Sequence, residues 1–135
     1  MDQFLKLYFL AVPVFFVIDM IWLGLIASGF YKAQLGELLT KNINWIAAIS
    51  FYLIFIFGII FFVVVPTLGK NSIMVTVLYG AIFGFIAYAT YDLTNLATLK
   101  NWPLTLALVD MFWGATLSAS VSVVVVIVSK WLHIA

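Results

Sequence analysis

The chain has 135 residues, of which 67% are hydrophobic and 8% are charged, and its formal net charge is +1. Soluble domains are about 45–50% apolar and about 25% charged, so this composition excludes a water-soluble fold and predicts an integral membrane protein. The six basic residues are all Lys, too few for the basic surface that binds nucleic acid, so no nucleic acid partner is expected. The chain has no Cys, and its one His, His133, lies outside the apolar runs, so no thiolate metal site, no haem and no other cofactor are expected. Carboxylates can bind hard cations, but no motif in the sequence supports a metal site.

Four apolar runs are each long enough to cross about 30 Å of hydrocarbon as a helix. They cover residues 5–28, 44–65, 73–97 and 104–128. Short connections between them predict a single transmembrane domain over residues 1–135, folded as an antiparallel bundle of four helices. Asp19 interrupts the first run, so we interpret that run as a retained span rather than a signal peptide.

The connection between the first two spans, residues 29–43, is amphipathic. Its apolar residues, Phe30, Tyr31, Leu35, Leu38 and Leu39, alternate with the polar residues Lys32, Gln34, Glu37 and Lys41. This pattern predicts a short amphipathic helix lying in the membrane interface. We call the membrane face that holds the N-terminus side A and the opposite face side B, so this connection is on side B. Three Lys fall on each side, which leaves the orientation in the membrane unassigned.

A short sequence pattern occurs twice. Residues 17–24 and 108–114 share the sequence Asp-Met-x-Trp, in the first and fourth spans. These spans run in opposite directions, as inverted repeats require. The second and third spans show no comparable similarity, so chance or convergent use of an Asp/Trp pair is the favoured interpretation.

Three acidic residues, Asp19, Asp92 and Asp110, lie inside apolar spans. At 1.5 Å per residue, Asp92, Asp110 and Asp19 lie roughly 7–8, 10 and 13 Å from the side-B ends of their helices. The three carboxyls are therefore expected in one layer, within the side-B half of the membrane. Because ionisable groups in a bilayer are costly, we expect these acids to face inward as a protonatable site with a catalytic, ion-coupling or structural role.

Further site residues are predicted around this layer. Residues that follow an Asp by three positions, or that share its polar stretch, can lie on the same helix face. The expected ligand-binding residues are Tyr88, Tyr91, Thr94, Asn95, Trp22, Trp113 and Tyr52. Other interpretations stay open, since tryptophans near span ends, such as Trp102, are typical of aromatic belts. The pair Gly80 and Gly84 predicts close helix packing.

Several motifs together resemble a known family. They are residues 18–24, 80–84 and 87–100, the pair Trp102-Pro103, Asp110 and the pair Trp113-Gly114. Over nearly its whole length the chain resembles the small bacterial membrane proteins of domain-of-unknown-function family 2177. The resemblance implies a multi-pass protein of the bacterial inner (cytoplasmic) membrane with about four helices, and it implies no established activity.

Three functions fit the sequence. The favoured one is an intramembrane pocket, formed by the three Asp, that binds or acts on a lipid-like or hydrophobic small molecule, with the acids as acid–base groups or polar anchors. The second is proton- or cation-coupled transport, which would require a homodimer because four helices are few for a transport path. The third is a structural or accessory subunit. Whether the protein is an enzyme is left open.

Overall fold

The computed structural model describes residues 2–134, and these form four long helices joined by short connections. We label the helices α1 (Gln3–Leu38), α2 (Trp45–Thr67), α3 (Ile73–Thr98) and α4 (Leu104–Trp131). Each is long and apolar enough to cross a membrane, and no β-strand occurs within the described residues. The predicted all-α membrane fold with four transmembrane helices is confirmed.

Helix α1 differs from its predicted span because it includes the predicted interfacial segment. Regular α-helix over Gln3–Ile21 passes through π-helical turns at Trp22–Ala27 and resumes as α-helix over Ser28–Leu35. The expected amphipathic helix is therefore continuous with the first span instead of separate from it. Gly36 ends the α-helical part with a φ of +52°, a conformation that costs least for glycine.

Helix α2 begins on side B with a side-chain cap. Asn44 precedes the first helical turn, and its side chain accepts a hydrogen bond of 3.1 Å from the backbone N–H of Ala47. Such caps stabilise a helix end by satisfying an N–H group that has no partner within the helix. The cap fixes the start of α2 one residue after the predicted position, residue 44.

The side-A half of the bundle holds a closely packed apolar core. It is formed mainly by α1, α2 and α4, whose fully buried side chains are Leu7, Ala11, Phe15, Ile56, Ile59, Ile60, Val64, Leu117, Val121 and Val125. Burial of each such side chain contributes about 1.5–3 kcal/mol in water, and in lipid the same contacts act through packing. The core closes the side-A end of the bundle.

Helices α3 and α4 form the most extensive helix pair. A Cβ atom added at Gly80 would lie 2.7 Å from the Cα of Ala119, and one added at Gly84 would overlap the backbone of Gly114. The two glycines therefore permit the close approach that their spacing predicts. Asp92 lies on the same stripe of α3, two turns beyond Gly84, and so also faces α4.

Helices α2 and α3 diverge towards side B. The main approach of the α2 backbone to α3 is through its π-helical turns Ile60–Val64, near side A. One turn earlier, the Phe55 ring stacks on Phe83 with 5.7 Å between centroids. Closer to side B, Ala48 and Tyr52 face an open space between the helices. That space is the candidate site.

Candidate functional site

A cavity of about 590 Å³ lies in the side-B half, lined by residues of all four helices. Its volume is within the range of about 300–1,000 Å³ that is typical of small-molecule sites. Most of the lining is apolar or aromatic, and the aliphatic part includes Leu23, Leu35, Leu39, Ile43 and Leu106. The cavity therefore combines an apolar wall with the few polar groups described next.

All three acids in the apolar spans line this cavity. Asp19, Asp92 and Asp110 are 4%, 0% and 8% exposed and come from α1, α3 and α4. The carboxyl groups of Asp92 and Asp110 face each other across the contact between α3 and α4. Within residues 2–134, no three Asp, Glu, His or Cys side chains are grouped closely enough to hold a metal ion. The acids thus divide into a pair and a separate Asp19.

Asp19 and Asp110 each accept a hydrogen bond from an aromatic side chain. The Nε1–H of Trp113 donates to Oδ1 of Asp19 at 3.4 Å, and the hydroxyl of Tyr31 donates to Oδ1 of Asp110 at 2.7 Å. The Nε1–H of Trp22 in turn donates to the Tyr31 hydroxyl at 3.3 Å. Buried polar groups in proteins are normally satisfied in this way, and these two carboxyls follow the rule.

Asp92 is the exception among the three acids, because its buried carboxyl has no hydrogen-bond donor among the described residues. Both of its carboxyl oxygens are buried, and neither has a hydrogen-bond partner among the described residues. The polar group that it faces at hydrogen-bond range is the Asp110 carboxyl, and a bond between the two needs a proton on one of them. A buried group without a partner costs about 1–3 kcal/mol, and more when it is charged. Asp92 is therefore the polar group of the cavity with most to gain from an external donor.

Tyr31 lines the cavity, whereas the sequence predicts it in the interfacial segment and not at the site. Tyr31 is nine positions after Trp22. In a regular α-helix this offset is 2.5 turns, or about 13.5 Å of rise, and it places the two side chains on opposite faces. Their hydrogen bond indicates that α1 bends at the π-helical turns Trp22–Ala27 and carries Ser28–Leu35 over the cavity. No residue pattern marks a π-helical turn, so the sequence predicts that the segment containing Tyr31 lies in the membrane interface.

The structure brings together five of the seven expected ligand-binding residues. Those that line the cavity are Tyr52, Tyr88, Tyr91, Trp22 and Trp113. Thr94 and Asn95 lie outside the lining. Thr94 is two positions from Asp92, which is about 200° around the helix, and its hydroxyl donates to the carbonyl of Thr90 in its own helix. The roles of all these residues stay predictions.

Trp102 also lines the cavity, although its position before α4 is typical of an aromatic belt. Its ring packs nearly perpendicular to that of Tyr91, with 5.7 Å between centroids and 81° between planes. Its Nε1–H is buried and has no acceptor among the described residues.

A family model described as "Predicted membrane protein (DUF2177)" matches residues 4–127. The match includes the three acids and all of the residues that line the cavity. No curated protein and no solved structure matches the chain significantly.

Proposed function

The chain belongs to the DUF2177 family of predicted membrane proteins, and we propose that it binds a lipid-like or other hydrophobic small molecule in the side-B cavity. The observation that carries the proposal is an apolar cavity of about 590 Å³ with a fully buried, unpartnered carboxyl at Asp92. Apolar walls with a few convergent polar groups are the usual form of a small-molecule site. The proposed location is the bacterial inner membrane, on the basis of the family resemblance.

The divergence of α2 and α3 supplies an entry path from the bilayer. Ala48 and Phe51 on α2 and Ala87 and Tyr91 on α3 line the cavity where the two helices separate. An apolar chain can pass between them without leaving the hydrocarbon region, so binding requires no transfer of that chain through water. This path suits a molecule that is already dissolved in the membrane.

The polar groups of the cavity would orient the head of such a molecule. Asp92 is the proposed anchor because its oxygens are unpartnered, and Asp110 lies opposite it, held by Tyr31. Tyr88 and Tyr91 lie on the same helix as Asp92 and also line the cavity, so their hydroxyls are the proposed further partners of a bound polar group. Two facing carboxyls could also exchange a proton with a bound molecule, as acid–base pairs do.

Binding accounts for the cavity better than transport through one chain does. Between the acids and side A, the bundle is filled by the fully buried side chains Phe15, Ile56 and Leu117. An ion that entered from side B would meet this apolar core before it reached the opposite face. A transport path would therefore require a second subunit or a different conformation.

A pair of neighbouring alanines provides the test. Ala48 lines the cavity, whereas Ala47 is exposed on the outer surface of α2. We expect native mass spectrometry of the gently solubilised protein to show a bound amphiphile that is lost in Ala48→Phe and kept in Ala47→Phe. Protein without any adduct, or an adduct that Ala48→Phe retains in full, would overturn the proposal.

A further inference from the structure

We propose that the molecule bound here is a single-chain amphiphile whose head group is a protonated amine, held between Asp92 and Asp110. This inference rests on the proposed function and adds the chemical class of the ligand. The cavity of about 590 Å³ has room for one alkyl chain and a small head rather than for a two-chain lipid. The head group is assigned from the charge, the unused acceptors and the aromatic surroundings of the acids.

The lining contains three carboxyl groups and no basic side chain. None of its residues is Lys, Arg or His. Uncompensated charges in a membrane interior are costly and are normally paired or neutralised. Asp19 and Asp110 have donors from Trp113 and Tyr31, whereas Asp92 has none. A ligand cation next to Asp92 would balance the charge, while an anionic head would be repelled by all three acids.

The unpartnered oxygens of Asp92 favour an amine with N–H groups. A primary ammonium carries three donors and no acceptor, so it can serve both Asp92 oxygens and the facing Asp110 at once. A quaternary ammonium would balance the charge but leave these acceptors unused.

The remaining walls near the acids are aromatic, and Tyr31, Tyr88, Tyr91 and Trp113 all line the cavity. A ring that turns its face to a desolvated cation attracts it by about 2 kcal/mol or more, and such a contact would add to the preference for a cationic head.

Protonation of both Asp92 and Asp110 is the competing way to satisfy this pair, since a single shared proton would leave it with a charge of −1. A pair with both carboxyls protonated is neutral and would accept an alcohol as readily as an amine. The two possibilities therefore differ in head-group selectivity, which can be measured directly.

The test uses the full-length protein in phosphatidylcholine vesicles that contain a small fraction of a brominated-chain probe. Three probes of equal chain length are compared: a primary amine, an alcohol and a carboxylic acid. Bromine quenches tryptophan fluorescence on contact, and Trp22, Trp102 and Trp113 line the cavity. We expect saturable quenching by the amine at a concentration at least about tenfold below that needed for the alcohol or the acid. This preference should fall clearly in Asp92→Asn, which keeps the shape of the side chain but removes one of the two carboxyls that hold the ammonium.

The Ala48→Phe variant separates the two levels of the proposal. If the amine and the alcohol quench equally and Ala48→Phe removes both signals, the pocket exists and the cationic head group is refuted. If Ala48→Phe leaves the quenching by every probe unchanged, the probes do not enter the cavity, and the proposed function fails with the inference. A preference for the amine that is undiminished in Asp92→Asn would also overturn the inference.

Discussion

The indole rings of Trp22 and Trp113 stack face to face, with 4.4 Å between centroids and 8° between planes. The two rings come from the two Asp-Met-x-Trp segments, one on α1 and one on α4. The hydrogen bonds cross between these segments, because Trp113 donates to Asp19 directly and Trp22 reaches Asp110 through Tyr31. The repeated pattern therefore marks two helices that are joined by a reciprocal contact at the inner end of the cavity.

This crossed contact predicts strong coupling between the two tryptophans. Trp22→Leu and Trp113→Leu each remove the stack, so the double variant should lose less stability than the sum of the single variants. The expected coupling energy is about 0.5–1.5 kcal/mol, the usual value for an aromatic pair. Unfolding by SDS in mixed micelles measures it. If the stability loss of the double variant equals the sum of the two single losses to within about 0.3 kcal/mol, the reciprocal contact is contradicted.

Tyr31→Phe should destabilise the protein although it removes a single oxygen atom. The substitution takes the donor from Asp110 and the acceptor from Trp22, both in the lining of the cavity. A loss of about 1–3 kcal/mol is expected for a buried polar group left without its partner. Tyr79→Phe is the matched control, because Tyr79 is exposed on the outer surface of α3. Equal, small effects of the two substitutions would refute the bend of α1 over the cavity.

Gly84→Ala should separate α3 from α4. The added Cβ would overlap the Gly114 backbone, which has no flexible atoms to move aside, so a cost of about 1–3 kcal/mol is expected. Gly29→Ala is the control, because a Cβ at Gly29 would meet nothing within 4 Å and alanine is the better helix former. Thermal unfolding in detergent checks both variants. Since Asp92 follows Gly84 on the same stripe, Gly84→Ala should also weaken ligand binding.

The sequence was sufficient to predict that the three acids lie at one level of the bundle, where they line one cavity, but not the groups that surround them. Counting 1.5 Å per residue placed Asp19, Asp92 and Asp110 in one layer because helix rise and membrane thickness are nearly constant. The same regularity gave the bounds of α2, α3 and α4, where apolar runs end at polar or turn-forming residues.

Tyr31 shows where this reasoning stops. Its contact with Asp110 depends on π-helical turns at Trp22–Ala27, and the residues there are ordinary for a transmembrane helix. The stacking of Trp22 on Trp113 likewise depends on the rotation of two helices about their axes. The closeness of Thr94 to Asp92 in sequence predicts it as a ligand-binding residue, but residues two positions apart on a helix lie on different faces.

Asp92→Asn should raise the stability of the ligand-free protein while it weakens ligand binding. Asp92 has no donor in the structure and faces Asp110, so replacing its carboxyl with a neutral amide removes repulsion and supplies an N–H to its neighbour. The expected gain is about 1–3 kcal/mol, as for other buried charges without a partner. Asp19→Asn is the comparison, because Asp19 already accepts a hydrogen bond from Trp113 and should lose stability or stay unchanged. SDS unfolding of delipidated protein, with binding of the brominated amine measured in parallel, checks both effects. If Asp92→Asn is destabilised as much as Asp19→Asn and keeps full binding, Asp92 is a structural residue and not the anchor of the site.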